Sequence, residues 1–128
     1  MSKIVRVPSP AEFDSIMADL ADEPLVFVVF ISSVAPETGE TWCPDCVIAD
    51  PVIRKTVFEL KNAILVECPV GSRDEYKNRP EHPYRVHPKI QLRAIPTLMR
   101  WKGDGPVGTP LVEEGCLVPE DIHKLAEL

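Results

Sequence analysis

Leu25-Val26-Phe27-Val28-Val29-Phe30-Ile31 is an uninterrupted run of seven apolar residues, dominated by β-branched and aromatic side chains. Such a run offers no polar face to water, so as a strand it has to be covered on both sides. It is too short to cross a bilayer, which takes about 20 apolar residues. The arrangement that buries it is the centre of a sheet with helices on both faces.

The flanking segments supply those layers. Lys3 to Val7 alternates polar and apolar residues and reads as a short strand. Ser9-Pro10-Ala11-Glu12 has the form of a capping box with proline at the first helical position. Phe13, Ile16, Met17 and Leu20 then recur at helical spacing. Ser32 to Thr41, with Pro36 and Gly39, reads as a polar loop. Val47 to about Leu60 reads as a helix carrying Val52 and Phe58, which Pro51 is expected to kink. Ala63 to Cys68 is a further strand. Residues 69–95 resist assignment, because Pro69, Pro80, Pro83 and Pro88 break any long period; a short helix fits near Tyr84–Val86. Pro96–Trp101 and Leu111–Glu114 read as strands joined by a glycine-rich turn at Lys102–Gly108. Pro119–Leu128 closes as a helix with Ile122, Leu125 and Ala126 on one face. The order predicts an α/β fold, a mixed central sheet flanked by helices, in a single domain over residues 1–128.

Composition narrows the function. A hydrophobic content of 45% and a charged content of 27% fit a soluble globular chain. The net charge of −6 argues against nucleic acid as a partner, since phosphate binding relies on Lys/Arg clusters. Met1 to Arg6 contains no apolar leader, so a cytoplasmic or nuclear address is expected, without membrane contact. In that reducing setting the four cysteines are poor candidates for structural disulfides. The close pair Cys43 and Cys46 then reads as redox or metal chemistry. Cys68 and Cys116 read as buried thiols. His82, His87 and His123 read as solvated, as do Glu113, Glu114, Glu120 and Asp121 around the last helix.

The chemistry is concentrated in Thr41-Trp42-Cys43-Pro44-Asp45-Cys46, between a buried strand and a helix. Cys43 falls near the helix N-cap, where unpaired backbone N–H groups and the positive end of the dipole favour a thiolate. Pro44 takes a position whose N–H the helix does not need. Cys46, within the first turn, can attack a mixed disulfide formed on Cys43. The thiolate is the nucleophile, so this placement makes Cys43 reactive. The Asp45 carboxylate opposes that thiolate, which favours a reducing couple over a strongly oxidising one. Trp42 is available both for packing and for shaping a substrate surface.

A C-x-x-C pair alone also fits a zinc half-site. Here Pro51 follows Cys46 by five residues, and Ala94-Ile95-Pro96-Thr97-Leu98 opens a later strand. On these residues the chain resembles the thioredoxin superfamily, in which an aromatic-C-x-x-C pair opens a kinked helix and a cis proline lies against the site. Gly115, before the last helix, also matches. Trp42 to Cys46, the long loop before them, Asp50-Pro51-Val52 and Gly115-Cys116-Leu117 narrow the resemblance to the thioredoxin domain-containing protein 17 family of the eukaryotic cytosol. The resemblance implies a thioredoxin-like fold with a cis bond before Pro96. It also implies substrate binding along Trp42, Pro44, Ile95 and Pro96, with backbone groups of Ile95 pairing with an extended substrate. The implied activity is reduction of small disulfides such as cystine and of selected protein disulfides. No bound cofactor is implied: reducing equivalents come from NADPH through thioredoxin reductase as partner.

One departure stands out. Ordinary thioredoxins carry a buried acid in the strand before the motif, which takes a proton from the second cysteine. Leu25 to Ile31 contains none, so Asp45 or water is expected to serve. Two other readings remain open at this level: a non-catalytic or zinc-stabilised binding module, and a glutathione-linked enzyme of glutaredoxin type. Against the last stand Trp42 and the lack of a Gly-Gly turn after the Pro96 strand.

Overall fold

The computed structural model describes residues 2–35 and 37–128; Pro36, read above as part of the polar loop, lies outside the described residues. Strands β1 (Lys3–Arg6), β2 (Leu25–Ile31), β3 (Ala63–Pro69), β4 (Thr97–Lys102) and β5 (Gly105–Val112) form one sheet in the order β1-β3-β2-β4-β5. β1, β3 and β2 are parallel, β4 runs antiparallel to β2, and β5 antiparallel to β4. β2 thus has both edges paired, as its unbroken apolar run requires. Val26, Val28 and Phe30 face a layer containing Phe13, Met17, Tyr84 and Trp101. Phe27 and Val29 face Ala49, Ile53, Val57, Ile122 and Leu125. Full burial of each such side chain contributes about 1.5–3 kcal/mol.

The helices are α1 (Phe13–Asp19), α2 (Pro44–Phe58), α3 (Arg73–Tyr76), α4 (Pro83–Val86) and α5 (Pro119–Ala126). α2 begins three residues earlier than the apolar pattern indicated, because Pro44 occupies the first helical position, and it continues through Pro51. The Ser9 capping box does not close. Ser9 Oγ accepts from the Ala11 N–H instead, and Pro10–Glu12 form a 3₁₀ turn that delivers α1. A capping box does form at Ser72 and Glu75, which start α3 inside the segment the sequence left unread.

The last strand is displaced from its expected place. β5 runs over Gly105–Val112, and Glu113–Leu117 form a 3₁₀ turn in place of a strand end. Gly105, Pro106, Gly108 and Pro110 hide this strand from any periodicity search. Proline and glycine are tolerated there because β5 pairs on one side only, and an edge strand can dispense with N–H donors on its open side.

His82 is buried, contrary to its expected solvation. Its Nε2 donates to the Val70 carbonyl at 2.7 Å and its Nδ1 accepts from the Tyr84 N–H at 3.1 Å. The tautomer follows from those two partners. His87 sits edge-on to the Phe13 ring and pairs with Asp14 at 2.8 Å.

Two interior features make predictions. Arg100 of β4 is only 2% exposed. Its Nη1 donates to the carbonyls of Leu125, Ala126 and Leu128 at 2.9–3.2 Å, and its Nη2 to that of Pro24 at 3.3 Å. The guanidinium adds donors to carbonyls at the end of α5, at the negative end of the helix. Arg100→Met should cost about 2–4 kcal/mol by denaturant unfolding, with early fraying of α5 in hydrogen exchange.

Cys68 and Cys116 are fully buried free thiols. Burial pushes both up from the ordinary value to about 12, although Tyr84 beside Cys68 and a backbone hydrogen bond from Leu98 to Cys116 act in the opposite direction. Below about pH 9 both states keep these protons. Between pH 9 and 12 the unfolded chain loses them while the native one holds them, so stability falls as pH rises. The slope is about 1.4 kcal/mol per pH unit for each thiol. With the Cys43–Cys46 disulfide kept intact, unfolding free energy should fall more steeply between pH 9 and 11 in the parent than in Cys68→Ala/Cys116→Ala.

Candidate active site

The chain leaves β2 at the centre of the sheet and returns to it at the start of α2. Between them an isolated bridge pairs Val34 with Thr41. The Thr41 hydroxyl accepts from the Cys43 N–H and donates to the Cys43 carbonyl, both at 3.3 Å, which anchors the approach to the helix. Cys43 is the N-cap residue with extended backbone. Its Sγ accepts from the Cys46 N–H at 3.2 Å, and its carbonyl accepts from Cys46 and Val47 at 3.1 and 3.2 Å. The sulfur therefore stands where a capping oxygen usually stands, against a helix N–H group that stabilises negative charge.

Cys43 and Cys46 are joined in a disulfide, with Cα atoms 5.3 Å apart. The two cysteines open into different spaces. Cys43 lines a groove of about 390 Å³ together with Trp42, Pro44, Asp45 and Ile95. Cys46 lines a separate cavity of about 290 Å³ with Ser32, Asp50, Arg54 and Glu67.

The other expected site residues fall around the groove. The Ile95–Pro96 bond is cis, and the Ile95 carbonyl lies 4.0 Å from Cys43 Sγ. Trp42 is half-buried: its Nε1 donates to the Gly71 carbonyl at 3.0 Å and its ring stacks on Tyr76 at 6.1 Å. Gly71 has φ of +102°, and a Cβ there would come within 3.0 Å of Glu75 Oε1, so the Trp42 seat depends on that glycine. Asp45 is exposed and lines the groove together with Cys43.

Sequence reading missed two groups. The first is Glu67 of β3, which stands opposite Val29 of β2 in the sheet register. Its carboxylate is buried, accepts from Arg6 at 2.9 Å, and is also ion-paired with Arg54, which is bound in turn to Asp50 at 2.9 Å. The acid absent from β2 thus has a buried counterpart one strand away, in the cavity that Cys46 shares. Nothing in the local sequence marks it, because register between strands is a tertiary property. The second group is the far wall of the groove, formed by Arg73, Tyr76, Lys77, Arg85 and Arg93. It comes from the proline-rich segment that has no long period. The Ser72–Glu75 capping box was the one available signal there.

Among the described residues, no three His, Cys, Asp or Glu side chains are grouped to hold a metal ion. No helix among them is long and apolar enough to cross a membrane.

Comparison with known proteins agrees with this geometry. A chloroplast thioredoxin f from spinach superimposes with a TM-score of 0.65 at 15% identity, covering 98% of this chain and 84% of the spinach chain, which shows the thioredoxin-like fold. The thioredoxin-like protein Clot of Arabidopsis thaliana is 42% identical over 83 residues, 64% of this chain. Thioredoxin domain-containing protein 17 of Mus musculus is 36% identical over 94 residues, 71% of this chain and 68% of the mouse protein. The match spans 61% of the Arabidopsis protein's length, and 24% of that of an acireductone dioxygenase from Leishmania infantum that is 41% identical over 83 residues, 59% of this chain. Residues 7–127 match the family described as "Thioredoxin domain-containing protein 17-like, thioredoxin domain". With its thioredoxin-like sheet and its Cys43–Cys46 disulfide at the head of α2, the chain belongs to that family.

Proposed function

We propose that the chain is a disulfide reductase in which Cys43 attacks and Cys46 resolves. The observation that carries this reading is the separation of the two cysteines. Cys43 borders the groove with Trp42 and Ile95, and Cys46 borders a separate cavity with Asp50 and Glu67. In the reduced protein the Cys43 thiolate attacks one sulfur of a substrate disulfide. The substrate S–S bond breaks, and the departing thiolate takes up a proton. Cys46 then loses its proton and attacks the mixed disulfide at Cys43. The Cys43–Cys46 bond forms, the second substrate thiol leaves, and two electrons have passed from the protein dithiol to the substrate. The proton from Cys46 leaves toward the cavity that Cys46 lines together with Asp50 and Glu67. Substrates of this reaction are small disulfides such as cystine and selected protein disulfides. NADPH, through thioredoxin reductase, restores the dithiol in the cytoplasm.

Family membership and the helix-capping sulfur support this reading, as does the way the Cys43 groove passes the cis-proline loop at Ile95. A coupled assay tests it. NADPH oxidation with thioredoxin reductase and cystine should depend on this chain, and the glutathione plus glutathione reductase system should not replace it. Turnover with glutathione alone would overturn the assignment. Cys43→Ser should drop turnover to the uncatalysed rate. Cys46→Ser should accumulate a mixed disulfide visible as a mass increase equal to the substrate half. Trapping by Cys43→Ser instead would reverse the two roles.

A further inference from the structure

The chain as a whole is acidic, with 20 Asp and Glu against 14 Lys and Arg. The groove at Cys43 reverses that balance. Arg73, Lys77, Arg85 and Arg93 line it, against the carboxylates of Asp45 and Glu113. The ion pairs of the described residues engage Arg6, Arg54, Lys55, Lys89 and Lys124, and none of the four groove cations.

One of the four cations, Arg85, is held in place, and the other three are exposed around it. The Arg85 guanidinium lies over the Tyr76 ring at 3.9 Å. Its Nη1 donates to the Arg93 carbonyl at 3.3 Å and its Nη2 to the Tyr76 carbonyl at 3.2 Å. Tyr76 stacks in turn on Trp42, the residue before Cys43. Arg73 and Lys77 flank Tyr76 on α3 and its C-cap. This chain of contacts sets the Arg85 charge at a fixed place in the groove that Cys43 lines. A concave, partly desolvated site strengthens such a field and raises the local concentration of anions.

We infer that the groove selects disulfides bearing a carboxylate close to the sulfur bridge. This rests on the reductase reading and adds its substrate class. The same chemistry is presented by a small disulfide dicarboxylate and by a protein disulfide flanked by Asp or Glu. The volume of about 390 Å³ falls within the range of pockets for compact organic ligands. Carboxylates pair with the forked guanidinium donors of Arg73 and Arg93 while the sulfur bridge lies at Cys43.

Single turnovers of the pre-reduced protein test this without any recycling enzyme. The probes are 5,5′-dithiobis(2-nitrobenzoate), a dianion, and 4,4′-dithiodipyridine, which is neutral. Each rate is divided by that of dithiothreitol with the same probe, which removes intrinsic reactivity. The quotient should be about tenfold larger for the dianion at 10 mM salt. The advantage should shrink toward 150 mM, as the screening length falls from about 30 to 8 Å. Arg73→Ser/Lys77→Ser/Arg93→Ser, all at exposed positions, should bring the two quotients together, and Arg73→Glu/Arg93→Glu should invert their order. Circular dichroism checks that each variant is folded. A pair of disulfide-linked peptides, flanked by Asp or by Lys, separates the two sources. An Asp preference of similar size assigns the groove to acidic protein segments, and a preference confined to the small dianion assigns it to small substrates; both support the inference. Equal quotients in the parent, or a preference that survives the triple substitution, would overturn it and leave the reductase intact. Failure of the parent to react with either probe would overturn the reductase reading, and this inference with it.

Discussion

Val26 to Phe30 are almost wholly removed from water because β2 is hydrogen-bonded along both edges and covered on both faces. A strand enclosed in this way cannot shift its register by one residue without exchanging the side chains of its two faces. Its position sets the rest. β3 and β4 are aligned against it, α2 and α5 pack on the Phe27–Val29 side, and α1 packs on the side of Val28 and Phe30. The end of β2 is also where the chain turns toward the head of α2. The redox cysteines stand at the head of a helix packed on that strand, and such placement on a regular element is what a positioned nucleophile needs.

Enclosure of that kind leaves little water for polar groups inside, and three charged or polar side chains near the core are held by protein partners. Arg100 closes the end of α5, His82 ties the start of α4 to the carbonyl of Val70, and Glu67 holds two guanidinium groups at the edge of the α2 layer. These contacts are worth modest net energy when made, but breaking one leaves a buried group without its partner. Their value lies in specifying one arrangement. A helix α5 capped by an arginine of β4 has a defined end, and α2 is tied to β3 through Arg54 and Glu67.

The redox pair shows how a fold makes two chemically identical side chains unequal. Cys43 caps the helix and borders the groove; Cys46, within the first turn, borders a separate cavity. The helix terminus acts on the first sulfur through an N–H group 3.2 Å away. The groove adds a second kind of selection, since its cations sit on α3, α4 and the approach to β4 rather than on the helix that carries the sulfur. Reactivity and substrate choice thus come from different elements and can vary independently.

Much of this was legible before any coordinates. The apolar run at 25–31 identified the central strand, because seven residues without a polar side chain can be buried in few other ways. The C-x-x-C pair with its following proline, and Ile95-Pro96-Thr97, identified the site, because local backbone chemistry dictates those residues where a helix begins and a loop turns. What stayed hidden was non-local. β5 carries glycines and prolines that an edge position tolerates, and only its pairing with β4 makes it a strand. His82 looks solvated until Val70 and Tyr84 enclose it. Glu67 becomes the acid on the cysteine side of α2 only when β3 lies in register with β2. Arg73, Lys77, Arg85 and Arg93 become one surface only when the segment after β3 folds back over Trp42. Patterns and motifs record how a residue relates to its neighbours along the chain, so the apolar run determined the central strand and the C-x-x-C motif determined the redox pair. Charge complementarity and burial depend on distances across the fold, and those were decided by the tertiary structure alone.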